Sequence, residues 1–392
     1  MRVLLLGSGG REHALARALA ADPEVTDLHA APGNPGIFRL ATGHPADLAD
    51  LAAVTALATR LAADLVVVGP EAPLVAGLAD LLRDQRIACF GPSRAAAMLE
   101  GSKSFAKQVM AAAGIPTAAA RTCRTEHEVR SALAAFGPPY VVKADGLAAG
   151  KGVIVTADHQ AALAHARAHG TVVVEEYLDG PEVSLFALAD EVLATVIQPA
   201  LAELARRGTP YRGLLYAGLS LTAAGVRVVE FNARFGDPET QVVLDRLASP
   251  LAGLLAAAAA GSLSGAGPLR WSPGAAVTVV LAAEGYPAAP ASGDPITGID
   301  DAERLAGAYV LHAGTATTAA GELVSAGGRV LNVVGSGPDL PSARDTAYRA
   351  AAAIRMRGGW YRRDIAERAA AGLGGRAAPR AAGSSLAPSP GP

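Results

Sequence analysis

The residues with the clearest chemical potential lie in one short segment, VVEFNARFGDPETQ, at positions 228–241. Successive side chains of an extended strand point to opposite faces, so Glu230, Asn232 and Arg234 are predicted to project to the same side. A carboxylate beside a carboxamide offers hard oxygen ligands suited to Mg²⁺, which usually keeps substrate phosphates as its remaining ligands. The neighbouring arginine is then interpreted as a phosphate clamp. The alternative is a strand with a polar outer face that runs into a Gly-Asp-Pro turn.

A second segment, at positions 143–152, joins two lysines to a glycine-rich turn with the sequence KADGLAAGKG. Lys143 leaves a predicted strand, and Gly150 and Lys151 lie in the turn. Two such lysines can hold a triphosphate while the flexible loop folds over it. The segment is not a Walker A loop, because the GxxxxGK[ST] pattern is missing. The alternative is a glycine hairpin with solvated lysines.

A third segment, VVVEEYLDGPEVS at positions 172–184, has the form of a buried strand followed by a short acidic linker. The backbone N–H and C=O groups of such a linker could pair with an adenine edge. Glu182, just beyond it, could accept hydrogen bonds from ribose hydroxyls. The alternative is a strand followed by a polar turn.

The first predicted strand runs into GSGGREH at positions 7–13. A glycine turn between a strand and a helix exposes backbone N–H groups to an anion. The dinucleotide fingerprint is incomplete, however, because Glu12 stands where its third glycine is expected. A tight turn without a ligand and an NAD-dependent dehydrogenase with Asp27 as its ribose acid are both alternatives. Against the dehydrogenase, the site would need its own catalytic acid or base, and His13 is more simply a structural polar residue.

Composition favours a multidomain protein that acts on small molecules. A chain of 392 residues exceeds what one core usually serves, and with 51% hydrophobic but 4% aromatic residues the core must be built from Ala, Val and Leu. A net charge of −2 and a pI near 6.5 give no basic footprint for nucleic acid. Two distant cysteines, Cys89 and Cys123, imply neither a disulfide framework nor a zinc site, which fits a reducing cytosol. No signal peptide or membrane span is predicted either, so we expect a cytoplasmic protein.

The pattern of apolar runs predicts several α/β units. In residues 1–100, strands at 2–7, 64–69 and 87–91 end in glycine and alternate with Ala-rich helices, which predicts a doubly wound parallel sheet with its sites beyond the carboxyl ends of the strands. The remaining predicted units are a core at 101–262 that ends in a buried apolar helix at 247–261, a small α+β domain at 263–370 with a helix at 341–357, and a disordered tail at 371–392.

The order of these parts, from strand lysine to glycine loop, acidic linker and Glu/Asn pair, resembles the ATP-grasp superfamily, which joins a carboxylic acid to an amine through an acyl phosphate. Further motifs resemble the phosphoribosylamine–glycine ligase family of purine biosynthesis over residues 1 to about 370. These motifs are GSGGREHAL at 7–15, APGNPG at 31–36, VGPEAPLVAGLAD at 68–80, FGPSRAAAMLEGSKSFAK at 90–107, VVKADGLAAGKGV at 141–153, YAGL at 216–219, EFNARFGDPETQ at 230–241, HAGT at 312–315 and YRRDI at 361–365.

The resemblance implies an N-terminal Rossmann-like substrate domain, a two-lobed ATP-grasp core whose mobile ATP-binding lobe spans 118–185, and a C-terminal α+β domain. It also implies contacts with ATP: the phosphates with Lys103 and Lys143 and with a covering loop that contains Gly150 and Lys151, the adenine with a linker at Glu175, Glu176, Tyr177 and Leu178, and the ribose with Glu182. Mg²⁺ or Mn²⁺ would be ligated by Glu230 and Asn232. The glycyl phosphate would contact Arg234 and Asp237, and the ribosylamine would face the turn at Gly9, Gly10, Arg11 and Glu12. Arg234, Asp237 and Lys151 are the residues expected to act in catalysis.

The implied reaction needs no side-chain nucleophile. The glycine carboxylate would attack the γ-phosphorus of ATP, and the amine of phosphoribosylamine would displace phosphate from the mixed anhydride. Bound Mg²⁺, the lysines and Arg234 would offset the developing charge. The expected partners are these small-molecule substrates, with no nucleic acid and no membrane, and a monomer is expected.

One departure from the family pattern lies inside the core. Between Asp190 and Glu191 the family carries a further segment with a basic stretch and a glycine-rich loop, and a shorter gap lies near His169 and Gly170. If these residues are truly absent, an inactive homologue or an ATP-grasp enzyme with a different substrate is the alternative. The HAGT and YRRDI motifs favour the glycine ligase over a neighbouring ATP-grasp ligase.

Overall fold

The computed structural model describes residues 1–147, 152–185 and 192–373. At its N-terminus is a parallel sheet with the strand order β3-β2-β1-β4-β5. Its strands are Arg2–Gly7 (β1), Asp27–Pro32 (β2), Thr42–Gly43 (β3), Leu65–Val68 (β4) and Ala88–Phe90 (β5). The strand order reverses between β1 and β4, which opens a crevice at their carboxyl ends. The predicted doubly wound parallel sheet is confirmed.

Helices cover both faces of this sheet because alternate residues of β1 are buried on opposite sides. The helices are Gly10–Ala20 (α1), Leu51–Arg60 (α2), Glu71–Ala76 (α3), Leu78–Asp84 (α4) and Arg94–Gly101 (α5). Val3 and Leu5 pack towards α1, whereas Leu4 and Leu6 pack towards α2 and α4. The aliphatic strands therefore form the centre of two apolar layers.

After helix Lys103–Ala112 (α6) the chain enters a separate lobe with its own small core. Four antiparallel strands pair in the order β6-β9-β7-β8. The lobe consists of Ala120–Cys123 (β6), Glu126–Phe136 (α7), Tyr140–Ala144 (β7), Val153–Thr156 (β8), His159–Arg167 (α8) and Val172–Glu175 (β9). Helices α7 and α8 bury their apolar faces against this sheet.

A second antiparallel sheet lies under this lobe. Its strands are Glu182–Leu185 (β10), Tyr216–Thr222 (β11) and Gly225–Asn232 (β12). The π-helical turn Leu193–Ile197, helix Gln198–Arg206 (α9) and helix α6 cover one face of the sheet. Helices Glu239–Arg246 (α10) and Ala252–Ala260 (α11) follow. As predicted, the apolar segment forms a buried helix, but α11 packs against the N-terminal sheet.

The last region is an α+β domain. Strands Ala275–Ala282 (β13), Ala308–His312 (β14) and Arg329–Gly337 (β17) pair in the order β13-β17-β14, and Thr315–Thr317 (β15) pairs with Leu323–Ser325 (β16). The helices are Ile299–Glu303 (α12), Leu340–Ala353 (α13) and Glu367–Leu373 (α14). Helix α14 extends three residues past the predicted start of the tail at 371, and residues 374–392 lie outside the described residues.

The N-terminal and C-terminal domains contact each other closely at helix α1. The backbone N–H of His312 donates to Nδ1 of His13 over 2.7 Å, and Asn34 Nδ2 donates to the carbonyl oxygens of Ser8 and His312. Asn332 packs so closely on Gly10 that a Cβ there would lie 2.0 Å from its Nδ2 atom. Gly10 therefore permits the contact between the two domains. Among the described residues, no helix combines the length and apolar character that crossing a bilayer requires.

Candidate active site

A cavity of about 500 Å³ lies where the N-terminal domain, the core, the lobe with strands β6 to β9 and the C-terminal domain meet. It opens at the carboxyl ends of β1 and β4, where the strand order predicts a site. Many of the residues predicted from the sequence line it, namely Arg11, Lys103, Lys143, Glu175, Glu230, Asn232, Arg234 and Asp237. Segments distant in sequence are thus brought to one place by the fold.

Glu230 and Asn232 lie side by side on strand β12. The Asn232 Nδ2 atom is 3.4 Å from Oε1 of Glu230, as the alternation of an extended strand predicts. Among the described residues no group of three or more His, Cys, Asp or Glu side chains could hold a metal ion. Mg²⁺ is commonly held by one or two protein ligands together with substrate phosphates, so this oxygen pair fits that ion.

Arg234 is held by two carboxylates that the sequence motifs do not mark as site residues. Its Nε atom lies 3.3 Å from Oε2 of Glu71, and its NH2 atom lies 2.9 Å from Oε1 of Glu100. Its NH1 group donates to the carbonyl oxygen of Phe235 over 3.0 Å. The guanidinium is therefore fixed at the cavity wall. Glu71 lies three residues after the end of β4, in the sequence Gly69-Pro70-Glu71, so its position beyond a strand end was a usable signal.

The two carboxylates of this cluster differ in their electrostatics. Burial raises the pKa of Glu100 to about 7, and the positive charge of Arg234 offsets only part of that shift. Burial also acts to raise the pKa of Glu71, but Arg234 and a backbone hydrogen bond outweigh it, so this pKa is lowered. Glu71 is consequently the more firmly ionised partner of Arg234.

The glycine turn after β1 contributes one side chain to the cavity. Arg11 reaches it and is fixed by Oε1 of Glu12 at 2.6 Å and by the carbonyl oxygen of Phe235 at 3.1 Å. The other Glu12 oxygen accepts the backbone N–H of Gly9 at 2.6 Å. Gly9, Gly10 and Glu12 do not line the cavity, and Glu12 is engaged in holding the turn. Their substrate contacts stay a prediction.

Asp237 lies beside an arginine from the C-terminal domain. Its Oδ2 atom is 3.1 Å from NH2 of Arg329, and its carbonyl oxygen accepts from NH1 over 2.9 Å. Gln241 donates to the other carboxylate oxygen at 2.8 Å. Arg329 lines the cavity as the first residue of strand β17, and nothing in the apolar sequence of that strand marks its first residue as part of a site.

Lysines line another part of the cavity. Lys143 Nζ lies 2.9 Å from Oε2 of Glu175, and Lys103 donates to the carbonyl oxygen of Gly146 over 2.9 Å. A further lysine, Lys107, lies 3.2 Å from Oε1 of Glu175 and was not predicted as a site residue. Burial lowers the pKa of Lys103. The predicted roles of Gly150 and Lys151 fall outside the described residues.

The predicted adenine linker follows strand β9. Glu175 is buried with its carboxylate paired to lysines, whereas Glu176 is half-buried and Tyr177 is exposed. Glu176 exchanges hydrogen bonds with Ala119: its backbone N–H donates over 3.0 Å, and its Oε1 accepts over 2.8 Å. Of the predicted nucleotide contacts, Glu176, Tyr177, Leu178 and Glu182 do not line the cavity. Their contacts with adenine and ribose stay predictions.

Comparison with known proteins identifies the family. The N domain of phosphoribosylglycinamide synthetase matches residues 1–100, its ATP-grasp (A) domain matches 101–195 and 189–240, and its C domain matches 276–368. This chain belongs to the phosphoribosylglycinamide synthetase family. The predicted ATP-grasp architecture is thereby confirmed.

Similar proteins extend over almost the whole chain. A phosphoribosylamine–glycine ligase of Streptomyces coelicolor is 57% identical, with 94% of this chain and 100% of that protein covered. A phosphoribosylamine–glycine ligase of Mycobacterium tuberculosis is 49% identical, and the alignment covers 95% of this chain and 99% of that protein. The crystal structure of a phosphoribosylamine–glycine ligase from Thermotoga maritima has a TM-score of 0.75 at 30% identity. The superposition covers 93% of this chain and 100% of that one. A biotin carboxylase domain from Hydrogenobacter thermophilus shares the fold at 16% identity, covering 92% of this chain and 91% of that one, with a TM-score of 0.65.

This member of the family is shorter than its relatives inside the aligned region. The alignment with the Streptomyces coelicolor protein extends over 416 positions, which exceeds the 392 residues of this chain. The ATP-grasp match is split into two segments that meet at 189–195. The interruption falls at the point where the sequence predicts a missing segment, between Asp190 and Glu191, and both residues lie outside the described residues.

Proposed function

We propose that this protein joins glycine to 5-phosphoribosylamine with cleavage of ATP, forming glycinamide ribonucleotide, ADP and phosphate. One observation carries the proposal. A single cavity collects Lys103, Lys143, the Glu230 and Asn232 pair, and Arg234, in a chain that matches all three domains of the phosphoribosylglycinamide synthetase family. The residues have the charges that a triphosphate and an acyl phosphate require.

In the first half-reaction, an oxygen of the glycine carboxylate attacks the γ-phosphorus, and the bond to the bridging oxygen of ADP breaks. Lys103, Lys143 and Arg234 line the same cavity, so the lysines would neutralise phosphate oxygens and Arg234 would offset the charge that develops on the transferred group. Glu230 and Asn232 would hold Mg²⁺ or Mn²⁺, which supplies further charge neutralisation when bound. Glu71 and Glu100 keep Arg234 in one orientation, so it needs little rearrangement during the reaction.

In the second half-reaction, the amine nitrogen of phosphoribosylamine attacks the carbonyl carbon of glycyl phosphate. The bond from carbon to the phosphate oxygen breaks, phosphate leaves, and the proton lost by the nitrogen passes to the departing phosphate or to solvent. Arg11 of the N-terminal domain, Asp237 of the core and Arg329 of the C-terminal domain line the same cavity, and Asp237 pairs with Arg329, so we assign the ribosylamine to that side. The glycyl phosphate would then lie between these residues and the lysines.

Three further inferences accompany this function. We propose substrate, ATP-grasp and C-terminal domains at 1–100, 101–262 and 263–370, with 118–185 as the mobile lobe. We propose small-molecule partners only, and a monomer. We also propose a cytoplasmic location, which the two free, buried cysteines, Cys89 and Cys123, support.

The test is the formation of labelled glycinamide ribonucleotide from radiolabelled glycine. Labelled product is expected when ATP, Mg²⁺ and freshly generated phosphoribosylamine are all present, and not when one of them is omitted. Labelled alanine in place of glycine serves as a matched control for substrate choice. Product with alanine but not with glycine would instead indicate an ATP-grasp ligase for another acid.

A further inference from the structure

Lys107 is a half-buried lysine of the cavity, with its side chain 14% exposed, and the proposed reaction assigns it no role. It lies on helix α6, one turn after Lys103, and it lines the same cavity. Burial lowers its pKa, although the Glu175 carboxylate partly offsets this effect. A buried ammonium is costly unless it is paired, so its partners should reveal its role.

The amino-acid usage of the chain also sets Lys107 apart. The protein contains four lysines and 30 arginines, and the lysines are Lys103, Lys107, Lys143 and Lys151. The first three line the cavity. A lysine ammonium is a compact charge with donors on three sides, whereas the guanidinium of arginine is a wide planar fork. Three of the four lysines therefore lie in this cavity, where a compact cation suits the site.

The three N–H donors of Lys107 all have acceptors in the protein. Nζ lies 3.2 Å from Oε1 of Glu175, 2.9 Å from Oγ1 of Thr117 and 2.9 Å from the carbonyl oxygen of Ala118. The Thr117 hydroxyl is free to accept because it donates to the carbonyl oxygen of Val228 over 2.6 Å. An ammonium group has only three donors, so Lys107 has none left for a ligand.

Lys143 differs from Lys107 in this respect. Within the described part of the chain, two of its donors go to Oε2 of Glu175 at 2.9 Å and to the carbonyl oxygen of Val229 at 3.1 Å, which leaves one for a ligand. The two lysines share one buried carboxylate, so the group of three carries a net charge of +1. Without Lys107, Glu175 would neutralise Lys143 and hold it more tightly.

The contacts of Lys107 also join two parts of the fold. Helix α6 belongs to the core, whereas Glu175 is the last residue of strand β9 in the lobe. Thr117 and Ala118 lie in the segment that leads into the lobe. Lys107 therefore fixes the entry and the exit of the lobe relative to the core at one point.

We propose that Lys107 is a positioning residue for the nucleotide: by pairing with Glu175 it leaves Lys143 both oriented and positively charged towards the phosphates. This inference rests on the proposed nucleotide-dependent function, since it names how one part of that site is held. It assigns Lys107 no contact with ATP. Its effect should therefore depend on the presence of the Glu175 carboxylate.

The experiment measures the Kd of ADP with Mg²⁺ for the full chain by isothermal titration calorimetry. Lys107→Met should weaken binding at least about tenfold, because an unshared Glu175 withdraws charge from Lys143. Lys107→Arg keeps a cation beside Glu175 and should lose less affinity. The double variant Lys107→Met with Glu175→Gln should bind ADP more tightly than Lys107→Met alone, since the competing carboxylate is removed.

The matched control is Arg94→Met, which removes an exposed positive charge at the start of helix α5, away from the cavity lining, and should bind ADP as the unmodified protein does. If circular dichroism shows that Lys107→Met does not fold, Lys107→Gln replaces it with the same expected results, because its amide can still donate to Thr117 or Ala118. Affinity within twofold of the unmodified protein, or a double variant no tighter than the single one, would overturn the proposal.

This design separates the positioning role from the ligase reaction. If the substitutions change ADP binding as expected but no glycinamide ribonucleotide is formed, the role of Lys107 stands and the proposed function fails. If the product is formed but Lys107→Met binds ADP normally, the proposed function stands and the role of Lys107 fails. Absence of ADP binding by the unmodified protein would overturn both.

Discussion

At the scale of single residues, the site depends on which oxygen and nitrogen atoms share one face of a strand. The alternation of strand β12 is sufficient to place Glu230 beside Asn232, which is why the sequence alone predicts this pair. The partners of Arg234 could not be found in this way. Glu71 and Glu100 lie far from it in sequence, and only the packing of helices α3 and α5 against the core brings them to it.

Glu230→Gln should lower Mg²⁺-dependent turnover by about two orders of magnitude while changing thermal stability little, because the assigned role is to ligate the metal and the side chain is exposed. The measurement is kcat as a function of Mg²⁺ concentration, together with Tm. Glu322→Gln, an exposed glutamate in the C-terminal domain, is the matched control. A parallel loss of Tm and activity would count against Glu230 as a metal ligand.

Glu100 should make stability depend on pH near neutrality. Burial raises its pKa in the folded protein to about 7, above the ordinary value of 4.5. Its contribution to stability is therefore complete below pH 4.5 and is lost as the pH rises through about 7. Glu100→Gln resembles the protonated form, so relative to the unmodified protein it should gain about 1 to 3 kcal/mol between pH 5 and pH 8.

The measurement is the free energy of unfolding in urea at these two pH values for both proteins. Any cost that Glu100→Gln has at both pH values cancels in the comparison. A stability difference that stays constant from pH 5 to pH 8 would show that Glu100 does not titrate in this range.

At the scale of helices and strands, the apolar pattern predicts most of the elements, but their partners and ends depend on tertiary contacts. Strands that end in glycine predict the parallel sheet, and an Ala- and Leu-rich run predicts a buried helix. Helix α13 was expected to reach residue 357 but ends at Ala353, because Arg355 pairs with Thr297 in a β-bridge. Local propensity does not reveal this competing partner.

The packing of helix α11 gives a test at the same scale. Leu255 is 3% exposed and packs in the cluster that contains Leu5 and Phe90, so Leu255→Ala should cost about 2 to 5 kcal/mol of stability. Leu254 precedes it on the half-buried side of the helix, and Leu254→Ala should cost less. Urea unfolding of both variants measures the difference. Equal costs would mean that α11 does not present Leu255 to the N-terminal sheet.

At the scale of the whole molecule, the cavity requires all the domains to keep their relative positions. The contact between His13 and His312, whose ring centroids are 5.6 Å apart, joins the N-terminal domain to the C-terminal domain and is called the histidine joint below. Sequence motifs place both histidines within family signatures, GREHA and HAGT, but they do not reveal that the two lie together. The sequence does not reveal this contact because 299 positions separate the two histidines.

This joint should weaken in acid. Burial and the nearby His312 lower the pKa of His13 from an ordinary value of 6.5 to about 3. Burial lowers the pKa of His312 from the same value to about 4. The stability that the two neutral rings contribute is present above pH 6.5 and is lost as the pH falls towards 4 and 3. Each histidine that titrates should contribute a slope of up to about 1.4 kcal/mol per pH unit.

His13→Asn should flatten this acid loss between pH 6.5 and pH 4, because the amide oxygen can accept the His312 N–H without taking up a proton. Tm measured across this range is the readout. His127→Asn, in which an exposed histidine of the lobe is replaced, is the control and should follow the unmodified protein. An equally steep loss in His13→Asn would mean that protonation at this joint does not limit stability in acid.

The central claim is that this cavity couples ATP cleavage to the ligation of glycine and phosphoribosylamine. The most direct measurement is the release of ADP by the purified chain with ATP, Mg²⁺ and glycine, with and without freshly generated phosphoribosylamine. Rapid release of ADP that depends on the amine is expected, with one glycinamide ribonucleotide formed for each ADP. ADP release that is unchanged by the amine, or no turnover by a chain that still binds ADP, would contradict it.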